Sequence, residues 1–170
     1  EITLQPLKRF DFDAAIIFSD ILMLPYGLSQ KVEFEKGFGP KLGEINIDEM
    51  SKLDEVDFVK KIYPVYKAIE KVSTSTKVLN KNTIGFVGAP WTLLVYMINQ
   101  QSPKKNLKEN FFKDDFLINR ILLILEKFLK IHIKNQIDNG ADIIQIFDSW
   151  AGLLEEKDLY NYIYSPTLNL

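Results

Sequence analysis

Apolar residues in this chain follow two patterns that alternate along its length. Short, nearly unbroken runs occur at Ala14-Ala15-Ile16-Ile17-Phe18, Thr83-Ile84-Gly85-Phe86-Val87 and Ile143-Ile144-Gln145-Ile146-Phe147. Parallel strands buried on both faces read this way. Between the runs, apolar positions recur every three to four residues, the signature of an amphipathic helix. Val56, Val59, Ile62, Val65, Tyr66 and Ile69 predict a helix within residues 48–75, begun by Asp54 or Asp57. Pro64 falls inside it and is expected to kink or break it, because proline lacks an amide donor. Ile118, Leu122, Leu125 and Leu129 mark the buried stripe of a long helix from about Lys113 to Asn139, with Gly140 where a C-terminal cap belongs. Pro90 suits the first turn of a short helix over Trp91–Ile98, and Glu155–Tyr164 reads as a last helix.

The remaining stretches read as connections. A short amphipathic piece spans Glu1–Leu7, and Asn80-Lys81-Asn82 turns into the second run. Clustered Gly and Pro make Asp20 to Ile47 loop-rich, a length that in a compact domain is usually functional. Gln100 to Asn110 is polar and loop-like. Strands alternating with helices imply βαβ units and a parallel sheet. Pattern alone does not separate an open doubly wound sheet from a closed (β/α)8 barrel. No Gly-x-Gly-x-x-Gly or Gly-x-x-x-x-Gly-Lys-Ser/Thr pattern is present, which counts against the commonest nucleotide-binding open sheets.

Each run ends in residues suited to chemistry. In barrels of parallel strands, such C-terminal strand ends meet the substrate. Asp20 follows the first run and precedes Ile21-Leu22-Met23-Leu24. A carboxylate in apolar surroundings is costly unless paired or used. It suits either a helix N-cap or a charge that stabilises a developing cation and accepts ligand N–H groups. The second run ends in Gly88-Ala89-Pro90-Trp91, with Tyr96 just over one helical turn further on. Trp91 and Tyr96 read either as core aromatics or, for Tyr96, as a phenol facing a carboxylate. Asp148-Ser149 closes the third run: Ser149 can hydrogen-bond an anionic arm, and Asp148 can orient a neighbour. The only histidine, His132, lies mid-helix on an apolar stripe and reads as structural, which argues against a Ser/His/Asp triad.

Composition narrows the chemistry. The 170 residues carry 21 Lys+Arg against 23 Asp+Glu, a net charge of −2, so no basic field recruits nucleic acid. The pair Lys104-Lys105 is too short to alter this. Cysteine is absent, which excludes disulfides and thiolate metal sites and fits a reducing cytoplasm. No apolar stretch approaches the ~18 residues of a membrane span. The chain opens on Glu1 and stops at Leu170 without a helix stop signal, so we expect one domain over 1–170, truncated at both ends.

The motifs resemble those of the uroporphyrinogen decarboxylases. The carrying segments are Leu4-Gln5-Pro6-Leu7-Lys8-Arg9-Phe10 and Asp13 to Leu22, then Gly85-Phe86-Val87-Gly88-Ala89-Pro90-Trp91-Thr92-Leu93 with Tyr96-Met97, and Phe147-Asp148-Ser149-Trp150-Ala151-Gly152. The Gly-Ala-Pro-Trp-Thr block is the most specific, since no general packing argument generates it. The resemblance implies an α/β (β/α)8 barrel, here only in part, from an enzyme that works as a cytoplasmic homodimer without metal or organic cofactor. It implies removal of carbon dioxide from the four acetate arms of uroporphyrinogen III to give coproporphyrinogen III. Asp20 matches the family's central aspartate, and Tyr96 and Ser149 match substrate-contacting positions.

The family's Arg-Gln-Ala-Gly-Arg-Tyr loop precedes the region present here. Its later strands and C-terminal active-site histidine have no counterpart in this chain. Three strands cannot close an eight-stranded barrel, so the chain alone is expected to be inactive and poorly stable. The alternatives are a corrinoid-linked methyltransferase of the same superfamily and a non-catalytic porphyrin-binding relative.

Overall fold

The structure is a computed structural model that describes residues 1–103, 107, 111–112 and 114–170. The basic pair Lys104-Lys105, residues 106 and 108–110 of the polar stretch and the expected helix start at Lys113 lie outside the described residues. A 3-10 turn and a short helix α1 (Gln5–Arg9) lead into strand β1 (Ala14–Ile16). Then come α2 (Met23–Gly27), strands β2 (Val32–Glu35) and β3 (Gly39–Leu42), and helices α3 (Ile47–Lys52) and α4 (Glu55–Val78). Strand β4 (Asn82–Gly88), α5 (Pro90–Asn99), α6 (Asp115–Asp138) and β5 (Ile143–Phe147) follow. The chain ends in α7 (Glu156–Leu159), a π-helical turn at Tyr160–Tyr164 and α8 (Ser165–Leu168).

The three predicted strands form one parallel sheet in the order β1-β4-β5. Ile16 pairs with Ile84, and Ile84 with Ile143, so side chains on neighbouring strands share faces. One face, with Ala15, Ile17, Val87, Ile144 and Ile146, packs on the helices that connect the strands. The α4–α6 contact is anchored by Phe58 and Phe128, whose buried rings lie 4.7 Å apart. Each such buried ring contributes roughly 1.5–3 kcal/mol. The opposite face, with Ile16, Ile84, Phe86, Ile143, Gln145 and Phe147, has no covering layer among the described residues. Ile16 is 55% exposed and Ile143 48%. Among the described residues the sheet is open, a parallel α/β layer of the kind a partial barrel contains, and not a closed barrel.

Three expectations need correction. The stretch from Asp20 to Ile47 is not simply loop: it holds α2 and an antiparallel hairpin pairing Val32 with Leu42 and Glu35 with Gly39. The hairpin is pinned by Gln30, whose amide donates to Gly43 O at 2.8 Å and to Met97 O at 3.2 Å. Secondly, Pro64 does not break α4, which runs from Glu55 to Val78. Both Pro64 and Lys60 are exposed, so water can take the bond that the missing amide no longer gives the Lys60 carbonyl. Finally, the last helix runs past Tyr164 to Leu168 through a π turn. Pro166 has no amide for the carbonyl four residues back, which favours such a local rearrangement.

The other helix expectations match. Asp54 begins α4, accepting from Val56 N at 2.7 Å. Ile118, Leu122, Leu125 and Leu129 are buried on α6, and Gly140 follows it at φ 103°.

Candidate active site

All three strands run parallel, so their C-terminal ends and the chemistry-bearing residues beyond them lie at one edge of the sheet. At the end of β4 the chain passes directly into α5, with Pro90 at the first helical position, where a missing amide costs nothing. Gly88 permits a close approach there. A Cβ on it would lie 2.9 Å from Leu93 Cδ2 and 3.2 Å from Ile21 Cβ. The segment after Asp20 can therefore cross the end of β4.

Asp20 is half-buried. Its Oδ1 accepts from Leu22 N at 2.7 Å, and its carbonyl accepts from Met23 N at 3.2 Å. One carboxylate oxygen thus holds the turn before α2, but Asp20 is not the helix N-cap: that position is Leu22, with no side-chain cap. Burial pushes the carboxyl above the ordinary aspartate range, and the Leu22 amide opposes that shift. Asp20 lines a groove of about 300 Å³ together with Leu22, Met23, Tyr26, Phe34 and Lys61. The Lys61 ammonium lies 4.9 Å from the centre of the Tyr26 ring and donates to Ser29 Oγ at 3.2 Å. An acid in a mostly apolar groove suits cationic or N–H-bearing ligands.

The block after β4 and the turn after β5 are stitched together. Thr92 Oγ1 donates to Asp148 Oδ1 at 2.7 Å and accepts from Trp150 N at 3.2 Å. The fully buried Trp91 indole donates from Nε1 to Trp150 O at 2.9 Å. The Trp-Thr pair therefore holds the Asp-Ser-Trp turn by three hydrogen bonds, which accounts for a motif that packing alone would not require. Burial raises the Asp148 carboxyl, and the Thr92 hydroxyl works against it. Its Oδ2 is buried and lacks a partner among the described residues. Sequence reasoning singled out Trp91 and Asp148 but missed Thr92, whose signal was only its place in the block.

Tyr96 is half-buried on α5 and meets Trp150 edge-on, ring centres 6.0 Å apart. Ser149 is exposed beside it in sequence. The structure thus brings Tyr96 to the turn that carries Ser149. The groove that Asp20 lines contains neither Tyr96 nor Ser149. His132 is buried in α6, with Nδ1 3.0 Å from Tyr66 Oη and Nε2 3.2 Å from Gln136 Nε2. It is structural, as expected. Among the described residues, no group of three or more His, Cys, Asp or Glu side chains converges as a metal site. None of the described helices is long and apolar enough to cross a membrane.

The family model for uroporphyrinogen decarboxylase (URO-D) matches residues 1–170. The chain belongs to the uroporphyrinogen decarboxylase family. A uroporphyrinogen decarboxylase of Orientia tsutsugamushi is 45% identical over 177 residues, covering 100% of this chain and 50% of the relative. That of Rickettsia bellii is 42% identical over 172 residues, covering 98% of this chain and 49% of the relative. That of Agrobacterium fabrum is 38% identical over 173 residues, covering 100% and 50%. The chain spans about half the length of the curated relatives it matches. The decarboxylase family, and not the methyltransferase alternative, is therefore the frame in which Asp20, Tyr96 and Ser149 are read.

Proposed function

We propose that the chain is part of a uroporphyrinogen decarboxylase, a carboxy-lyase that removes carbon dioxide from the four acetate side chains of uroporphyrinogen III. The product is coproporphyrinogen III. The reading is carried by the family match across the whole chain, at 38–45% identity to relatives of that name. In this reading residues 1–170 form one truncated domain. The remaining half supplies the strands that close a (β/α)8 barrel over the uncovered sheet face. The full-length protein works as a cytoplasmic homodimer without metal or organic cofactor.

Asp20 is the central carboxylate in this reading. Its half-buried acid accepts pyrrole N–H groups and stabilises the cation made when a pyrrole is protonated. The electron pair of the bond to the departing carboxylate then forms an exocyclic C=C that neutralises the cation as carbon dioxide leaves. Protonation of that carbon gives the methyl group, and loss of the added ring proton restores the pyrrole. A fixed anion facing a charge that grows along the path lowers the barrier more than it tightens substrate binding. Tyr96 and Ser149 present hydroxyls to the acidic arms. Asp20→Asn in the full-length protein tests the role, because a neutral amide keeps the shape and loses the charge. Turnover should fall by about 10²–10³-fold, measured as coproporphyrinogen formed. Near-normal turnover would remove Asp20 from the mechanism.

A further inference from the structure

Strands β1 and β4 part company at one level of the sheet. Ile17 N donates to Ile84 O at 2.9 Å, continuing the ladder one step beyond β1. The next rungs of a parallel ladder would send Phe86 N–H to Ile17 O, and Ser19 N–H to Phe86 O. Among the described residues neither rung forms. Both Phe86 groups bond instead to one side chain: Phe86 N donates to Gln136 Oε1 at 3.0 Å, and Gln136 Nε2 donates to Phe86 O at 3.0 Å. The side-chain amide thus imitates the peptide unit of a neighbouring strand. Phe18 N, which strand alternation points away from β4, donates to Thr3 Oγ1 at 2.9 Å.

The wedge is built in. Gln136 is 1% exposed, near the C-terminal end of α6. Gly85 leaves room for it, because a Cβ there would run into Gln136 Oε1. Phe86 also fixes which end of the amide is which, since its N–H needs the oxygen and its carbonyl needs the nitrogen. Gln136 Nε2 is therefore the donor toward His132 Nε2. His132 must accept on Nε2, carry its proton on Nδ1 and donate to Tyr66 Oη. A chain of buried groups from α4 through α6 holds the amide against β4.

We propose that Gln136 is a positioning residue for Asp20: its amide takes the place of β1 beside Phe86, ends the strand at Ile17, and so sets where the next three residues deliver the carboxylate. This rests on the reading of Asp20 as the site carboxylate, and the test separates the two. In the full-length, unsubstituted protein, amide exchange should be slow at Phe86 and fast at Ser19. A Ser19 amide as protected as that of Ile17 overturns the proposal without any variant, so a misfolding mutant does not shelter it.

Gln136→Met should slow exchange at Ser19 as the ladder zips further. It should also lower kcat by about 10–100-fold, the scale of a small misplacement of a reacting group, with KM little changed. Gln136→Glu keeps the acceptor for Phe86 N–H and should recover part of that loss. In an Asp20→Asn background the same Gln136→Met change should cost less than about two-fold, because the two residues act as one unit. Equal losses in both backgrounds, or normal kcat in Gln136→Met, overturn the proposal. If Asp20→Asn alone leaves kcat intact, the role of Asp20 fails, and the Ser19 exchange rates still decide whether Gln136 parts the strands.

Discussion

His132 shows how a buried residue ties stability to pH. Burial lowers its pKa from the usual 6.5 to about 4, and its hydrogen bonds to Tyr66 and Gln136 require the neutral ring. As pH falls, the unfolded chain takes up the proton first. The stabilisation is therefore whole above about pH 6.5 and drains away as pH drops toward 4, by at most ~3 kcal/mol. Protonation would also set an Nε2 hydrogen against the Gln136 amide hydrogens. Urea unfolding of the full-length protein should show a steeper fall in stability between pH 6.5 and 4.5 than His132→Asn does. Identical slopes would mean that the ring is not held neutral. Asp20 and Asp148 carry the opposite perturbation, both raised chiefly by burial.

Between elements, the joint that matters is the one from α5 to the turn after β5. Thr92→Val keeps the shape but leaves Asp148 without its donor and Trp150 N without its acceptor. The expected loss is about 1–3 kcal/mol, read from denaturant midpoints, whereas Thr92→Ser should retain most of the stability. If valine proves neutral, the clasp carries no weight. The same comparison shows what was legible beforehand. The strands, α4 and α6 announced themselves because their periodicities are long and regular, and the strand-end logic found Asp20, Trp91 and Asp148. The β2–β3 hairpin did not, since Val32 to Glu35 is mostly exposed and its glycines and proline pointed to loop. Pro64 suggested a break that does not occur, because the exposure of its helix face was invisible. Thr92 and Gln136 stayed hidden for another reason: each acts on a backbone or side chain roughly 50 residues away, a pairing that only the fold creates.

For the whole molecule, the uncovered sheet face dominates. Phe18 is 71% exposed, and beside β1 a groove of about 550 Å³ is lined by Ile2, Phe12, Ile16, Phe18 and Ile84. Monomeric proteins rarely leave contiguous apolar surface of this kind open. Residues 1–170 alone should therefore bind a hydrophobic dye, scatter light at micromolar concentration and turn over no substrate. Under the proposed function, adding the complementary half in trans should quench the dye signal and yield decarboxylation. A clear, monomeric, dye-silent fragment would show that the face needs no cover. Under the proposed reading the same surface also has a life during synthesis. A ribosome working at about 5–20 residues per second would leave this half waiting on the order of 10–30 s for strands not yet made. Holdase chaperones would then have as much say in the yield of active enzyme as its final stability does.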